Sequence, residues 1–204
     1  MSKVAGARGA ALIVLAVAAW TMRAQVIEFE SNGLKYQTLA KNGVTLMFAP
    51  MAFHLKTYTI IQVAVSNGSQ GSYVIHPEDF VFMRSDGTQL RAAPAATVVQ
   101  VLTEKGSRSD VLKLVNAYEE ALYGIPNMRS TNGYESRRQA ALMMGPSKFR
   151  AAAAASAVAL SATKLPPGDS SDGAVFFPTG GKPLGPGRLV VRTNTDTFEF
   201  NPQP

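Results

Sequence analysis

Cysteine is absent from the 204 residues. No disulfide framework, no lipid attachment at an N-terminal cysteine and none of the usual cysteine-based zinc sets is therefore available. Histidine is nearly absent too, with only His54 and His76. Charged residues make up 17% of the chain against 46% hydrophobic ones, too few for a disordered segment. Stability has to come from a packed core, and the length allows one. Catalytic signatures are missing as well. Gly68-Ser69-Gln70-Gly71 is one residue short of a nucleophile elbow and follows a strand without opening a helix. Glu119 and Glu120 are helix neighbours, about 100° apart, and do not face one another as an acid and base. Gly180-Gly181-Lys182 lacks the hydroxyl residue and the glycine spacing of a phosphate loop. Asp169-Ser170-Ser171-Asp172-Gly173 has no bidentate acid in calcium-loop register and reads as a turn. These absences predict neither an enzyme nor a cofactor.

What is present begins with residues 1–24. Lys3 and Arg8 precede an uncharged, almost wholly apolar run from Ala10 to Trp20, followed by Thr21-Met22-Arg23-Ala24. This is the pattern of a signal peptide, with Gln25 first in the mature chain and no stable membrane span left after cleavage. A retained N-terminal anchor is the alternative. The apolar run falls well short of the roughly 20 residues a bilayer-spanning helix needs. No twin-arginine pair occurs, which favours the general export route and a periplasmic or extracellular location. The net charge of +6 shrinks accordingly: without Lys3, Arg8 and Arg23, 17 basic residues oppose 14 acidic ones. That is ordinary for a small exported protein.

The clearest shape lies between Tyr58 and Leu90. Thr57 to Val65 is crowded with β-branched and aromatic residues and ends in Asn67-Gly68-Ser69, which predicts a long strand buried on at least one face. His76-Pro77 interrupts pairing, since proline has no N–H for a ladder. Asp79 to Arg84 is a second strand with Phe80 and Phe82 on one face, closed by Asp86-Gly87. Upstream, Gln25 to Glu30 is a short strand before Ser31-Asn32-Gly33. Tyr36 to Ala40 and Val44 to Phe48 flank Asn42-Gly43, the chemistry of a type I′ hairpin. Pro50 is expected to end that second strand.

From Ala92 to Ala162 the period becomes helical. Val111, Leu114, Val115, Tyr118 and Leu122 recur at helical spacing, with Ser109 as the expected cap. Asn132 and Glu135 mark a second helix start, and the alanines after Ser147 mark a third that allows close packing. Ala95 to Leu102 reads equally as strand, through Thr97, Val98, Val99 and Val101, or as helix after Pro94. Beyond Lys164 strand signals return at Ala174 to Phe177, Arg188 to Arg192 and Thr197 to Phe200. The domain plan is residues 25–94 and 163–204 as a β-sandwich, with residues 95–162 as a helical insertion. Ile61, Val63, Val65, Phe80, Phe82, Phe176, Leu189, Val191, Phe198 and Phe200 are the expected core.

Three features together carry a resemblance. They are the strand Tyr58 to Asn67, Asp79-Phe80 with Ser85-Asp86-Gly87, and Leu165-Pro166-Pro167-Gly168 leading to Gly173-Ala174-Val175-Phe176-Phe177-Pro178. The chain resembles exported bacterial immunoglobulin-like β-sandwich domains, a group largely without assigned function. The resemblance covers about half of the mature chain. It implies an antiparallel immunoglobulin-like sandwich and export, and the roughly seventy-residue helical block departs from it.

Two functional readings follow. Met47, Met51, His54, His76 and Met83 fall in the strand-rich part, and thioethers with imidazole suit copper, so a periplasmic soft-metal or small-ligand carrier is the alternative reading. Methionine is also an ordinary core filler. The preferred reading is a non-catalytic interaction module of the cell envelope. Residues 95–162 hold the whole mature charge excess, with eight basic against five acidic residues. Lys113, Arg129, Arg137, Arg138, Lys148 and Arg150 are the candidate contacts for an envelope protein or an anionic surface. Nucleic acid is not expected, because Tyr118, Tyr123, Tyr134 and Phe149 do not interleave with these cations as a stacking platform.

Overall fold

A computed structural model describes residues 25–123 and 133–203. The segment 1–24, Arg129 and Asn132 lie outside the described residues. Two hairpins open the chain: β1 (Ile27–Ser31), β2 (Leu34–Lys41) and β3 (Val44–Leu55). Both connecting turns set an asparagine and a glycine at positive φ, 49° and 73° at Asn32-Gly33 and 51° and 81° at Asn42-Gly43. That is the geometry their residue types favour. Pro50 does not end β3. The register against the next strand shifts between Pro50 and His54, so the irregularity absorbs the missing proline N–H and pairing resumes to Leu55.

β4 (Tyr58–Asn67) follows, then β5 (Tyr73–Ile75), one turn of 3₁₀ helix at Pro77–Asp79, β6 (Phe80–Arg84) and β7 (Gln89–Arg91). The ambiguous stretch after Pro94 is helix α1 (Ala95–Lys105). Next come α2 (Arg108–Tyr123), α3 (Tyr134–Leu142) and α4 (Ser147–Val158). The cap of α2 is Ser107, where the sequence suggested Ser109. Its hydroxyl and amide both donate to Asp110 Oδ2, at 2.6 and 2.7 Å. The chain closes with β8 (Thr163–Leu165), β9 (Ser170–Pro178), β10 (Gly187–Arg192) and β11 (Thr197–Glu199). Residues 170–173, expected as a turn, belong to β9 instead. Their ladder with β4 runs from Ser66↔Ser170 to Tyr58↔Pro178 and overrides the local turn preference.

The named strands all pair antiparallel, giving a five-stranded sheet in the order β1-β2-β3-β4-β9, a four-stranded sheet β11-β10-β6-β7 and the small pair β5-β8. The two larger sheets stack over a shared core. Val44, Leu46, Phe48, Ile61, Val63 and Val65 of one meet Phe80, Phe82, Leu189, Val191 and Phe198 of the other. Asn67 closes one end of this core. It is fully buried, donates to the Gly71 and Leu165 carbonyls at 2.8 and 2.9 Å, and accepts from the Ser69 amide and hydroxyl.

β4 alternates between two interiors. Its other face, with Tyr58 and Ile60, joins Leu55, Ala174 and Phe176 against Val98, Leu102, Val111, Leu114, Tyr118 and the alanines of α4. The helices therefore form a third layer over the five-stranded sheet. Of the expected core, only Phe176 lies under the helices, and the rest lie between the sheets. The chain enters and leaves this layer side by side on the outer edge of β9, by bridges Ala93↔Phe176 and Ala159↔Ala174. Both crossings also cover an edge strand that would otherwise offer free amides.

Candidate functional site

The helical layer is held from within by polar contacts that sequence reasoning did not find. Tyr118 on α2 donates through its hydroxyl to Asp172 on β9, both almost fully buried. The Tyr118 ring packs on Tyr134 with centroids 4.7 Å apart, and the Tyr134 hydroxyl donates to Glu119 Oε1 at 3.2 Å. Glu119 also pairs with Arg138. No sequence signal marked these contacts, since Asp172 read as part of a turn. At the start of α2, Lys56 in the β3–β4 turn reaches Asp110 at 2.9 Å. Burial by itself would raise the Asp110 pKa. The hydrogen bonds from Ser107 and the ammonium of Lys56 outweigh it and hold the carboxyl below its usual range.

The candidate cations divide sharply. Arg137 donates to the Ala157 carbonyl at 3.1 Å and so ties α3 to the last turn of α4. Arg138 is paired with Glu119 and Glu135. Arg150 donates to the Met144 carbonyl through Nε and Nη2, at 3.1 and 2.9 Å, bracing the turn between α3 and α4. Arg129 lies outside the described residues. Lys113 and Lys148 are exposed, and among the described residues neither makes an ion pair; Lys148 sits 5.1 Å over the Phe149 ring. Half of the residues expected to meet a partner thus hold the layer together.

Two cations not singled out from the sequence stand beside them. Lys105 and Arg108 flank Gly106, an exposed pair without an ion-pair partner among the described residues. A Cβ at Gly106 would lie 2.9 Å from Ala151 Cβ and 3.1 Å from the Lys148 carbonyl. The α1–α2 turn is therefore pressed against the first turn of α4, which brings Lys105, Arg108 and Lys148 to one end of the layer. That end also carries exposed apolar side chains: Leu142, Met143, Met144 and Phe149 along the α3–α4 turn, and Leu112 on α2.

The methionine and histidine candidates do not converge. Met47 lies on the face of β3 turned from the sheet-to-sheet core, Met83 on the outward face of β6, and His76 before the 3₁₀ turn, exposed. Met51 and His54 alone share a cavity of about 330 Å³ at the β3 irregularity, with Thr59, Phe82 and Leu184 also on its wall. His54 Nδ1 is 3.0 Å from the Thr59 hydroxyl, which itself donates to the Lys182 carbonyl at 2.7 Å. One imidazole nitrogen is left for a guest, and Met51 packs into the interior under the helices, so the pair falls short of a closed metal set. Among the described residues no three His, Asp or Glu side chains are placed to share an ion, and no helix is long and apolar enough to cross a membrane. Ser69, in the near-elbow sequence, donates its hydroxyl to Asn67 Oδ1 at 2.6 Å, as a turn residue does.

Comparison with known proteins gives no match: no family model, curated protein or solved structure aligns significantly with this chain.

Proposed function

We propose that the protein is an exported, non-catalytic interaction module of the cell envelope. In this reading an immunoglobulin-like sandwich is the rigid support and the helical layer presents the binding surface. The observation that carries it is the gathering, at one end of the helical layer, of exposed apolar side chains and of cations that make no ion pair among the described residues. Binding surfaces on loops held by a rigid scaffold are a common arrangement, and a soluble domain seldom leaves such side chains together without use. Of the six candidates Lys148 is kept, with Lys113 further along α2, and Lys105 and Arg108 are added to it.

The test is capture from a detergent-free envelope extract by intact mature protein and by a variant carrying Lys105→Gln, Arg108→Gln and Lys148→Gln. Replacing residues 95–162 by a linker is unsuitable, because it would strip cover from Tyr58, Ile60 and Phe176. Capture should fall with the variant and with salt raised from about 0.05 to 0.5 M, since exposed charges are screened beyond a Debye length. Equal capture by the two proteins overturns the reading. The carrier reading has the Met51–His54 cavity in its favour, and stoichiometric copper in protein purified from its native compartment would promote it.

A further inference from the structure

We propose that the end of the helical layer formed by the α1–α2 and α3–α4 turns docks on an anionic phospholipid surface, with its apolar side chains entering the headgroup region and its cations on the lipid phosphates. This rests on the interaction-module reading and names its partner. Among the described residues, four of the eight exposed large apolar side chains lie between residues 142 and 149, and Met143 is 87% exposed. They sit on a protruding turn that the Arg150 guanidinium fastens to the Met144 and Gly145 carbonyls, so the tip is presented without a large ordering cost.

The size of the tip argues for lipid over protein. A stable protein interface buries about 800 Å² per partner, more than a turn of this length offers. A bilayer accepts a small apolar wedge and adds electrostatic attraction for each nearby cation. The charge is of the right sign. Lys105, Arg108 and Lys148 border the apolar turn, and among the described residues the one acid nearby that is not already paired to a cation is Glu104 at the end of α1. α4 also starts here, with no acidic residue in its first turn, so its N-terminal amides favour an anion rather than repel one. Long flexible side chains such as methionine and lysine suit a fluid surface, where apolar stems bury while charged heads stay in the phosphate layer.

The experiment is co-sedimentation of mature protein with vesicles of phosphatidylcholine alone or mixed with phosphatidylglycerol. Binding is expected on the anionic vesicles and not on the neutral ones. Lys148→Gln should weaken it about fivefold, the usual effect of one surface cation at an anionic membrane. Met143→Ser combined with Phe149→Ser should abolish it while leaving the thermal midpoint unchanged, because both side chains are exposed. A second reading is optical. The chain's one tryptophan is Trp20, so Met143→Trp places a sole reporter at the tip of a mature chain starting at Gln25. Its emission should shift to the blue on anionic vesicles alone. Absence of binding to anionic vesicles, equal binding to neutral ones, or full binding by the serine variant overturns the proposal. If vesicles fail while envelope capture still depends on the three cations, the interaction module stands and its partner is a protein.

Discussion

At the scale of single residues, three buried polar groups meet different fates. Asn67 is satisfied on every side, by carbonyls of Gly71 and Leu165 and by donors from Ser69. This explains why β4 ends in asparagine followed by small residues. Gln62, one strand position after Ile61, is 1% exposed, and neither of its amide atoms has a hydrogen-bond partner among the described residues. A buried amide without partners costs about 1 to 3 kcal/mol, which an apolar side chain of similar shape avoids. Gln62→Met is therefore expected to raise the urea midpoint, and a lowered midpoint would show that the amide is satisfied after all. Asp110 is the third case. Its folded pKa lies below its ordinary value, so the stability it contributes is complete above the unfolded value of about 3.9 and drains as pH falls through the folded one. Asp110→Asn should be less stable than wild type at neutral pH and should lose less on acidification, as read from melting curves across pH. Parallel acid profiles for the two proteins would refute this.

At the scale of elements, small residues decide where chain segments may cross. α4 buries Ala151, Ala152, Ala154, Ala155 and Ala157, and this lets α1, α2 and α3 all pack on it closely. The alanine run was legible as a helix with a close neighbour; that three neighbours share it was not. Gly173 permits the return crossing from the helical layer. A Cβ there would lie 2.5 Å from the backbone N and Cα of Leu160, and the Leu160 amide donates to the Ala174 carbonyl at 2.9 Å. The glycine that precedes the Phe176-Phe177 pair is thus a matter of space, not of turn geometry. Gly173→Ala must displace backbone, and a cost of about 1 to 3 kcal/mol or more is expected in denaturant unfolding. A variant as stable as wild type would mean that the 159–160 crossing gives way easily.

At the scale of the molecule, the question is whether the helices decorate a sandwich or complete it. Phe82 lies between the two sheets, and Phe176 lies between the five-stranded sheet and the helices. If both interiors are equally part of the fold, Phe82→Ala and Phe176→Ala should each cost about 3 to 5 kcal/mol in one cooperative transition. A Phe176→Ala protein close to wild type, or a separate early transition for the helices, would make the layer dispensable.

Whatever depends on a residue and its near neighbours could be read along the chain. Asn42-Gly43 makes its hairpin because those two residues tolerate positive φ. The alternation of Ile61, Val63 and Val65 marks a buried face because side chains alternate along any strand. Proline at Pro50 could be read only as a stop, since a strand irregularity needs a partner strand to define it. The remainder was decided by the tertiary structure, because it depends on groups far apart in the chain. Asp172 became a strand residue through pairing with β4 and the hydroxyl of Tyr118, 54 positions away. β4 gained its second buried face only when the helices came to lie on it. Arg137, Arg138 and Arg150 read as surface charge until folding placed carbonyls and carboxylates within their reach. Lys105 and Arg108 joined Lys148 only where Gly106 meets α4. Charge can be counted along a chain, but which charges remain free is settled by what folds against them.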